Sequence, residues 1–65
     1  METIRVIYHH EDGGWWAESP DVPRWYAAGD TYAEVAELAA EGIPFALGYD
    51  AELEHYVPVS ERVAA

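Results

Sequence analysis

The chain has 65 residues, enough for one small domain spanning residues 1–65 and too few for a second. Hydrophobic residues make up 51% of it and aromatic residues 14%, which excludes a disordered chain, and the lack of cysteine excludes a disulfide framework. Thirteen acidic residues against three basic ones give a formal charge of −10, which repels phosphate backbones, so we expect no direct binding of DNA or RNA.

The first half of the chain predicts three strands. Residues 3–9 alternate between apolar and polar side chains, and a double glycine at residues 13–14 favours a hairpin turn into an aromatic strand at 15–19. Pro20 and Pro23 lack amide donors and must end the strand pairing. Residues 24–28 then predict a third, antiparallel strand.

A helix is predicted to begin at Thr31, whose hydroxyl can cap the first turn while Glu34 reaches back as a capping box. Because Pro44 removes a helical hydrogen bond, we expect a break or kink around residues 42–43, followed by a further turn or two through residues 45–47 and an end at Gly48. The predicted apolar stripe consists of Val35, Leu38, Ala39, Phe45 and Leu47, opposed by Glu34, Glu37 and Glu41.

A last strand is predicted at residues 54–59, at an edge because of Pro58. The fold class is therefore α+β, a small antiparallel-rich sheet covered on one face by one helix, in the order β-β-β-α-β. The N-terminus has no signal-peptide pattern and no apolar run approaches the roughly 20 residues that span a bilayer, so we expect a cytoplasmic protein.

No set of residues indicates catalysis, a metal or a cofactor. His9 and His10 suggest a metal site with His55, but adjacent strand residues point to opposite faces and would not chelate one ion. The neighbouring carboxylates Glu11 and Asp12 precede two glycines and are turn formers first. We therefore expect no enzyme.

The tryptophans indicate an interface, because one helix can cover only one face of the sheet and Trp15 and Trp16 face opposite ways. One of these two is expected to be exposed. A small core without disulfides also favours self-association, so we predict a dimer or larger oligomer. The residues assigned to this contact are Trp15, Trp25 and Tyr26.

The order of these signals resembles the HicB-like antitoxin family from about residue 4 to residue 47. The matching segments are Glu11-Asp12-Gly13-Gly14, Trp15-Trp16-Ala17, Ser19-Pro20-Asp21-Val22-Pro23 and the helix start Gly29-Asp30-Thr31 with Glu34 and Glu37. The resemblance implies a truncated ribonuclease H-like fold. It also implies an antitoxin that neutralises a small basic RNA-cleaving toxin, HicA, by covering its surface.

We call residues 19–23, which contain Pro20 and Pro23, the proline corner. The predicted contacts with such a toxin lie around the hairpin and this corner: Glu11, Asp12, Trp16, Glu18 and Asp21. An acidic chain would steer a basic partner into register. Two departures from the family limit the transfer. Arg24 stands where the family usually has glycine, so the backbone of that turn is expected to differ, and no C-terminal DNA-binding segment is expected.

Two other functions remain as alternatives. The chain could be an oligomeric binding module that uses its aromatic sheet face for a ligand or another protein. The ribonuclease H likeness also suggests a magnesium-dependent nuclease, which needs an acidic residue in the middle of the first strand. This chain has Ile4, Arg5, Val6, Ile7 and Tyr8 there, and none of them is a metal ligand.

Overall fold

A computed structural model describes residues 2–58, which contain four strands and one helix. They are β1 (Thr3–Glu11), β2 (Gly14–Glu18), β3 (Tyr26–Gly29), α1 (Tyr32–Leu47) and β4 (Glu52–Tyr56). The helix packs on one face of a four-stranded sheet, so the predicted α+β class and element order are confirmed.

The sheet has the strand order β3-β2-β1-β4. β1 pairs antiparallel with β2, and β2 pairs antiparallel with β3. β4 pairs parallel with β1 on the other side, which makes the sheet mixed. A parallel neighbour needs a crossover connection, and α1 supplies it by carrying the chain across the sheet from β3 to β4.

The hairpin between β1 and β2 closes on a two-residue turn. Asp12 and Gly13 both have positive φ, 51° and 79°, and Glu11 pairs with Gly14 across the turn. This is the backbone that suits the right-handed twist of two strands, and it requires residues that tolerate positive φ. The predicted role of the acidic-glycine segment as a turn is confirmed.

The proline corner joins β2 to β3. Asp21 N donates to Ser19 Oγ at 3.1 Å, and the buried side chain of Val22 anchors the corner in the core. The predicted strand at 24–28 begins too early, because Arg24 has a φ of 71° and the strand starts only at Tyr26. A left-handed residue cannot continue a strand. Arg24 thus adopts the left-handed conformation that glycine favours.

The start and end of α1 are as predicted. Thr31 Oγ1 accepts a hydrogen bond from Glu34 N at 3.1 Å, and Gly48 ends the helix in the left-handed region with a φ of 84°. Of the break or kink expected at residues 42–43, the break does not occur, since the helix runs through Pro44. Ile43 and Leu47 pack against the core on either side of the proline, and this packing holds the helix together across the missing hydrogen bond.

The unbroken helix also changes the apolar stripe. Val35, Ala39 and Ile43 are fully buried at spacings of four residues, whereas Leu38 is 45% and Phe45 90% exposed. A break at residue 42 would have allowed Phe45 to turn inward, but continuous helical geometry places it about 200° around the axis from Ile43. The predicted inclusion of Leu38 and Phe45 in the core stripe is therefore wrong.

The core lies between α1 and the sheet. Its buried members are Ile4, Val6, Tyr8, Ala17, Val22, Val35, Ala39 and Ile43. Tyr8 is the largest of the fully buried side chains, and its hydroxyl forms a 2.5 Å hydrogen bond with His55 Nδ1 on β4. That strand begins two residues earlier than predicted and ends at Tyr56, before Pro58; residue 59 of the predicted strand lies outside the described residues.

Candidate functional site

One face of the sheet is not covered by α1, and we call it the open face. Strand alternation and the pairing register assign thirteen residues to it: Thr3, Arg5, Ile7, His9 and Glu11 of β1, Gly14, Trp16 and Glu18 of β2, Tyr26 and Ala28 of β3, and Glu52, Glu54 and Tyr56 of β4. The alternate residues of the same strands pack against the core. The open face therefore presents aromatic and charged side chains together.

A row of paired residues crosses all four strands on the open face. Its order is Tyr26, Glu18, Ile7 and Tyr56. The two tyrosines at its ends are 69% and 45% exposed. Because cross-strand neighbours have Cβ atoms about 5 Å apart, Glu18 and the exposed Tyr26 are adjacent on this face.

Trp16 lies next to this row and is stacked on His9, with ring centroids 4.2 Å apart and 22° between the planes. His9 Nε2 also lies 2.8 Å from Glu18 Oε2. Trp15 and Trp16 face opposite ways, as predicted, but both are half-buried, so the expectation that one would be exposed is wrong. The imidazole of His9 covers part of the Trp16 ring.

Arg5 and Asp21 fasten the proline corner to β1. The Arg5 guanidinium donates to both carboxylate oxygens of Asp21, at 3.1 and 3.2 Å, and Arg5 N donates to Asp21 Oδ2 at 2.9 Å. These hydrogen bonds lower the pKa of Asp21 and raise that of Arg5. Arg5 is the one arginine or lysine among the described residues of the open face, and Asp21 neutralises it. The carboxylates of that face are Glu11, Glu18, Glu52 and Glu54.

At the far edge, the Tyr56 hydroxyl donates to the Glu54 carboxylate. This hydrogen bond raises the pKa of Tyr56, because ionising the phenol would break it and place two negative charges together. The Tyr49 hydroxyl donates to Glu2 in the same way, with the same effect on its pKa. Carboxylates beside aromatic rings are suited to a lysine or arginine side chain, which gains an ion pair and a cation–π contact.

The residues predicted to contact a toxin lie on the open face or beside it. Trp16 and Glu18 are in its centre, and Glu11 and Asp12 are exposed at the hairpin end of β1. Asp21 lies at the opposite end, where its carboxylate is engaged by Arg5. Four of the five are thus available to a partner on one side of the sheet, while Asp21 holds the corner in place.

The residues predicted for self-association do not share one surface. Trp15 and Trp25 pack against the core, and Trp15 also stacks on His10 and meets Tyr32 edge-on. Tyr26 lies on the open face. Of the three, it is the only exposed residue, so any contact between copies would involve it more directly than the two tryptophans.

Sequence reasoning did not assign Ile7, His9 or Tyr56 to the site. The alternation of β1 contains the signal for the first two, because residues between Ile4, Val6 and Tyr8 must face away from the core. Tyr56 is on a strand whose parallel pairing with β1 depends on the whole fold.

Comparisons with known protein families, with curated proteins and with solved structures found no match. Within residues 2–58, no group of three or more histidine or carboxylate side chains is placed to hold a metal ion. No helix in the described part of the chain is long and apolar enough to cross a membrane.

Proposed function

We propose that this protein is a HicB-like antitoxin of the cytoplasm, which binds a small basic RNA-cleaving toxin through the open face and occludes the toxin's surface. The observation that carries the proposal is the combination of exposed aromatic rings and carboxylates on a helix-free sheet face. Glu18 lies in the same cross-strand row as Tyr26 and Tyr56 and beside Trp16. The order of sequence motifs that resembles the family supports the choice of partner.

Charge supports a basic partner over an acidic one. The chain carries a formal charge of −10, and the guanidinium of Arg5 on the open face is paired with Asp21. Complementary charge accelerates encounter and sets orientation, whereas buried aromatic side chains slow dissociation. The same charge opposes phosphate backbones, so occlusion of the toxin, without contact to its RNA, is the proposed mode of action.

The face is also prepared for binding. Trp16 is held by its stacking on His9, and aromatic side chains with few rotatable bonds lose little conformational entropy when a partner covers them. Trp and Tyr are the residue types that most often dominate binding energy at interfaces. The proposed centre of the contact is therefore Trp16 with Glu18 and Tyr26, and the hairpin carboxylates lie at its rim.

The experiment is to co-express the chain with a basic RNA-cleaving protein encoded beside it, purify the complex and measure RNA cleavage with and without the chain. A stable complex in which cleavage is suppressed is the expected result. The absence of both complex and inhibition would overturn the proposal. RNA cleavage by the chain itself with added magnesium would favour the nuclease instead.

A further inference from the structure

The outer edge of β3 is open to another strand. Within residues 2–58 it pairs with no other segment, and both Tyr26 and Ala28 are exposed. Proteins protect such edges with charged side chains, prolines or bulges. β3 reads Tyr-Ala-Ala-Gly and has neither a charge nor a proline, whereas β4, the opposite edge, carries Glu52 and Glu54.

The hairpin determines which backbone groups of β3 point outward. A two-residue turn makes Glu11 and Gly14 a hydrogen-bonded pair, and such pairs recur at every second position of an antiparallel ladder. Because the same alternation continues from β2 to β3, the N–H and C=O groups of Ala27 point toward β2. The N–H and C=O groups of Tyr26 and Ala28 therefore point away from the sheet, toward the free edge.

The exposed apolar side chains of α1 lie on the same side of the molecule as this edge. A Cβ atom at Gly42 would be 3.0 Å from Trp25 Nε1, so this flank of the helix lies over the start of β3. Viewed along the helix axis, Leu38 lies about 40° and Phe45 about 60° from Gly42, both in the direction away from the core. The flank therefore presents two exposed apolar side chains above the β3 edge, and the carboxylates of Glu34 and Glu41 border them on the solvent side.

We propose that a second copy of the chain adds to the β3 edge, antiparallel and with Ala27 on the two-fold axis. Tyr26 of each copy then lies opposite Ala28 of the other, and their outward groups form four hydrogen bonds. Antiparallel addition about an axis perpendicular to the sheet keeps the two helices on one side. The result is a continuous eight-stranded sheet whose open faces both remain accessible.

Charge complementarity selects this register. Arg24 lies in the turn before β3 and Asp30 directly follows β3, and both are exposed. With Ala27 on the axis, these two ends of the strand come together across the interface, so the Arg24 side chain of one copy is near Asp30 of the other, and the symmetry forms this approach twice. The backbone pattern also permits a register shifted by two residues, but that register would move Arg24 and Asp30 apart. Ion pairs at an interface rim fix register more than they add affinity. Self-pairing of β4 would bring acidic residues together on an already acidic protein.

The helices complete the contact. Each α1 packs against β2 and β3 of its own copy, so it lies above the space between these two strands. Because strands are about 4.8 Å apart, this position is about 5 Å from the two-fold axis. The two helices then lie about 10 Å apart and antiparallel, at the upper end of helix packing distances. Leu38 and Phe45, which the core does not bury, are covered there by the second copy.

The first test is sedimentation velocity of the full chain at micromolar concentration. Wild type is expected to be a dimer, and Ala28→Pro to weaken the dimer at least about tenfold, equivalent to about 1.4 kcal/mol. Proline at this position removes an N–H that points away from β2, so it is compatible with an edge strand of the monomer. A monomeric wild type, or a folded Ala28→Pro variant that dimerises equally well, would overturn the proposal.

The second test uses charge reversal and does not depend on how well proline is tolerated. Arg24→Asp leaves each copy with acidic residues at both positions of the ion pair, and Asp30→Arg leaves basic residues at both. Each variant alone is expected to dimerise less, whereas an equimolar mixture regains dimer because both pairs are again complementary.

The matched control is Glu37→Arg, which makes the same charge change as Asp30→Arg on the exposed side of α1. It is expected to leave the dimer intact. If the mixture of the two reversal variants shows no more dimer than either variant alone, the proposed register is refuted. Neither test involves a toxin, so the result is independent of the proposed function.

Discussion

Substitution of Tyr8 by phenylalanine tests a side-chain hydrogen bond that links the core to the last strand. Tyr8 is fully buried, its ring lies 4.6 Å from that of Tyr32, and its hydroxyl is 2.5 Å from His55 Nδ1. Tyr8→Phe keeps the ring and removes only the hydroxyl. The apolar packing is therefore retained, and the loss is confined to the contact with β4.

At neutral pH we expect Tyr8→Phe to lower the free energy of unfolding by about 1 kcal/mol, the usual net contribution of one intramolecular hydrogen bond. Urea denaturation followed by tryptophan fluorescence measures this difference. Truncation to alanine would remove the ring as well and is expected to cost about 3–5 kcal/mol, a large part of the total stability of a small domain.

The alkaline side of the same experiment isolates the hydroxyl. Burial raises the pKa of Tyr8 from 10.0 to about 12, so the folded state holds this proton more tightly than the unfolded state. The stability that the protonated Tyr8 hydroxyl contributes is fully present below pH 10 and is lost as the pH rises toward 12. Between pH 7 and 11 this linkage lowers the free energy of unfolding by about 1 kcal/mol, after allowance for screening by water near so small a core.

Wild type is thus expected to lose more stability than Tyr8→Phe between pH 7 and pH 11, and the two curves are expected to converge. The control is Tyr26→Phe, which removes the hydroxyl of an exposed tyrosine and leaves the Tyr8 contribution in place. If Tyr8→Phe loses as much stability at alkaline pH as wild type does, the reasoning about the buried hydroxyl is refuted.

Three further substitutions test local features. Thr31→Ala removes the helix cap and is expected to lower the free energy of unfolding by about 1 kcal/mol, measured by urea denaturation. Thr3→Ala, at an exposed position of β1, is expected to lower it by less than about 0.5 kcal/mol. Equal losses would contradict the capping role. Arg24→Gly is expected to be about 1–2 kcal/mol more stable than Arg24→Val in thermal unfolding, because residue 24 is left-handed; equal stability would contradict that conformation. Asp21→Asn removes a carboxylate whose pKa is lowered from its ordinary 3.8 by the hydrogen bonds from Arg5. The stability that this carboxylate contributes is present above about pH 4 and is lost as the pH falls through the lowered pKa. An acid titration followed by circular dichroism should show a steeper loss for wild type, and parallel curves would count against the Arg5 contact.

The parts of the fold that depend on local chemistry could be predicted from the sequence. The alternation of Ile4, Val6 and Tyr8 identified the buried side of β1, and Thr31 and Gly48 marked the ends of α1. Each of these signals acts within a few residues, so tertiary packing had little to change.

The errors arose where packing outweighed local preference. A proline within a helix costs about 3 kcal/mol, yet burial of Ile43 and Leu47 keeps α1 continuous past Pro44. The phase of the helix then exposed Phe45, which the sequence pattern had placed in the core. The left-handed φ of Arg24 was also missed, because nothing in an arginine indicates it.

The candidate site could be predicted only in part. Opposite orientations of Trp15 and Trp16 follow from strand geometry, and the acidic hairpin was visible in the sequence. The position of Tyr56 beside Ile7 depends on a parallel pairing that spans the whole chain, and the Arg5–Asp21 contact joins residues 16 apart. Such long-range contacts leave no local pattern.

The proposed function is tested most directly by the affinity of the toxin for two charge-reversed variants, measured by isothermal titration calorimetry. Glu18→Lys reverses a charge in the centre of the open face, and Glu37→Lys makes the same change on the exposed side of α1. If the open face binds the toxin, Glu18→Lys weakens binding at least about tenfold while Glu37→Lys has an effect of less than about threefold. Equal effects of the two substitutions would mean that net charge alone attracts the partner, and would contradict a binding site on this face.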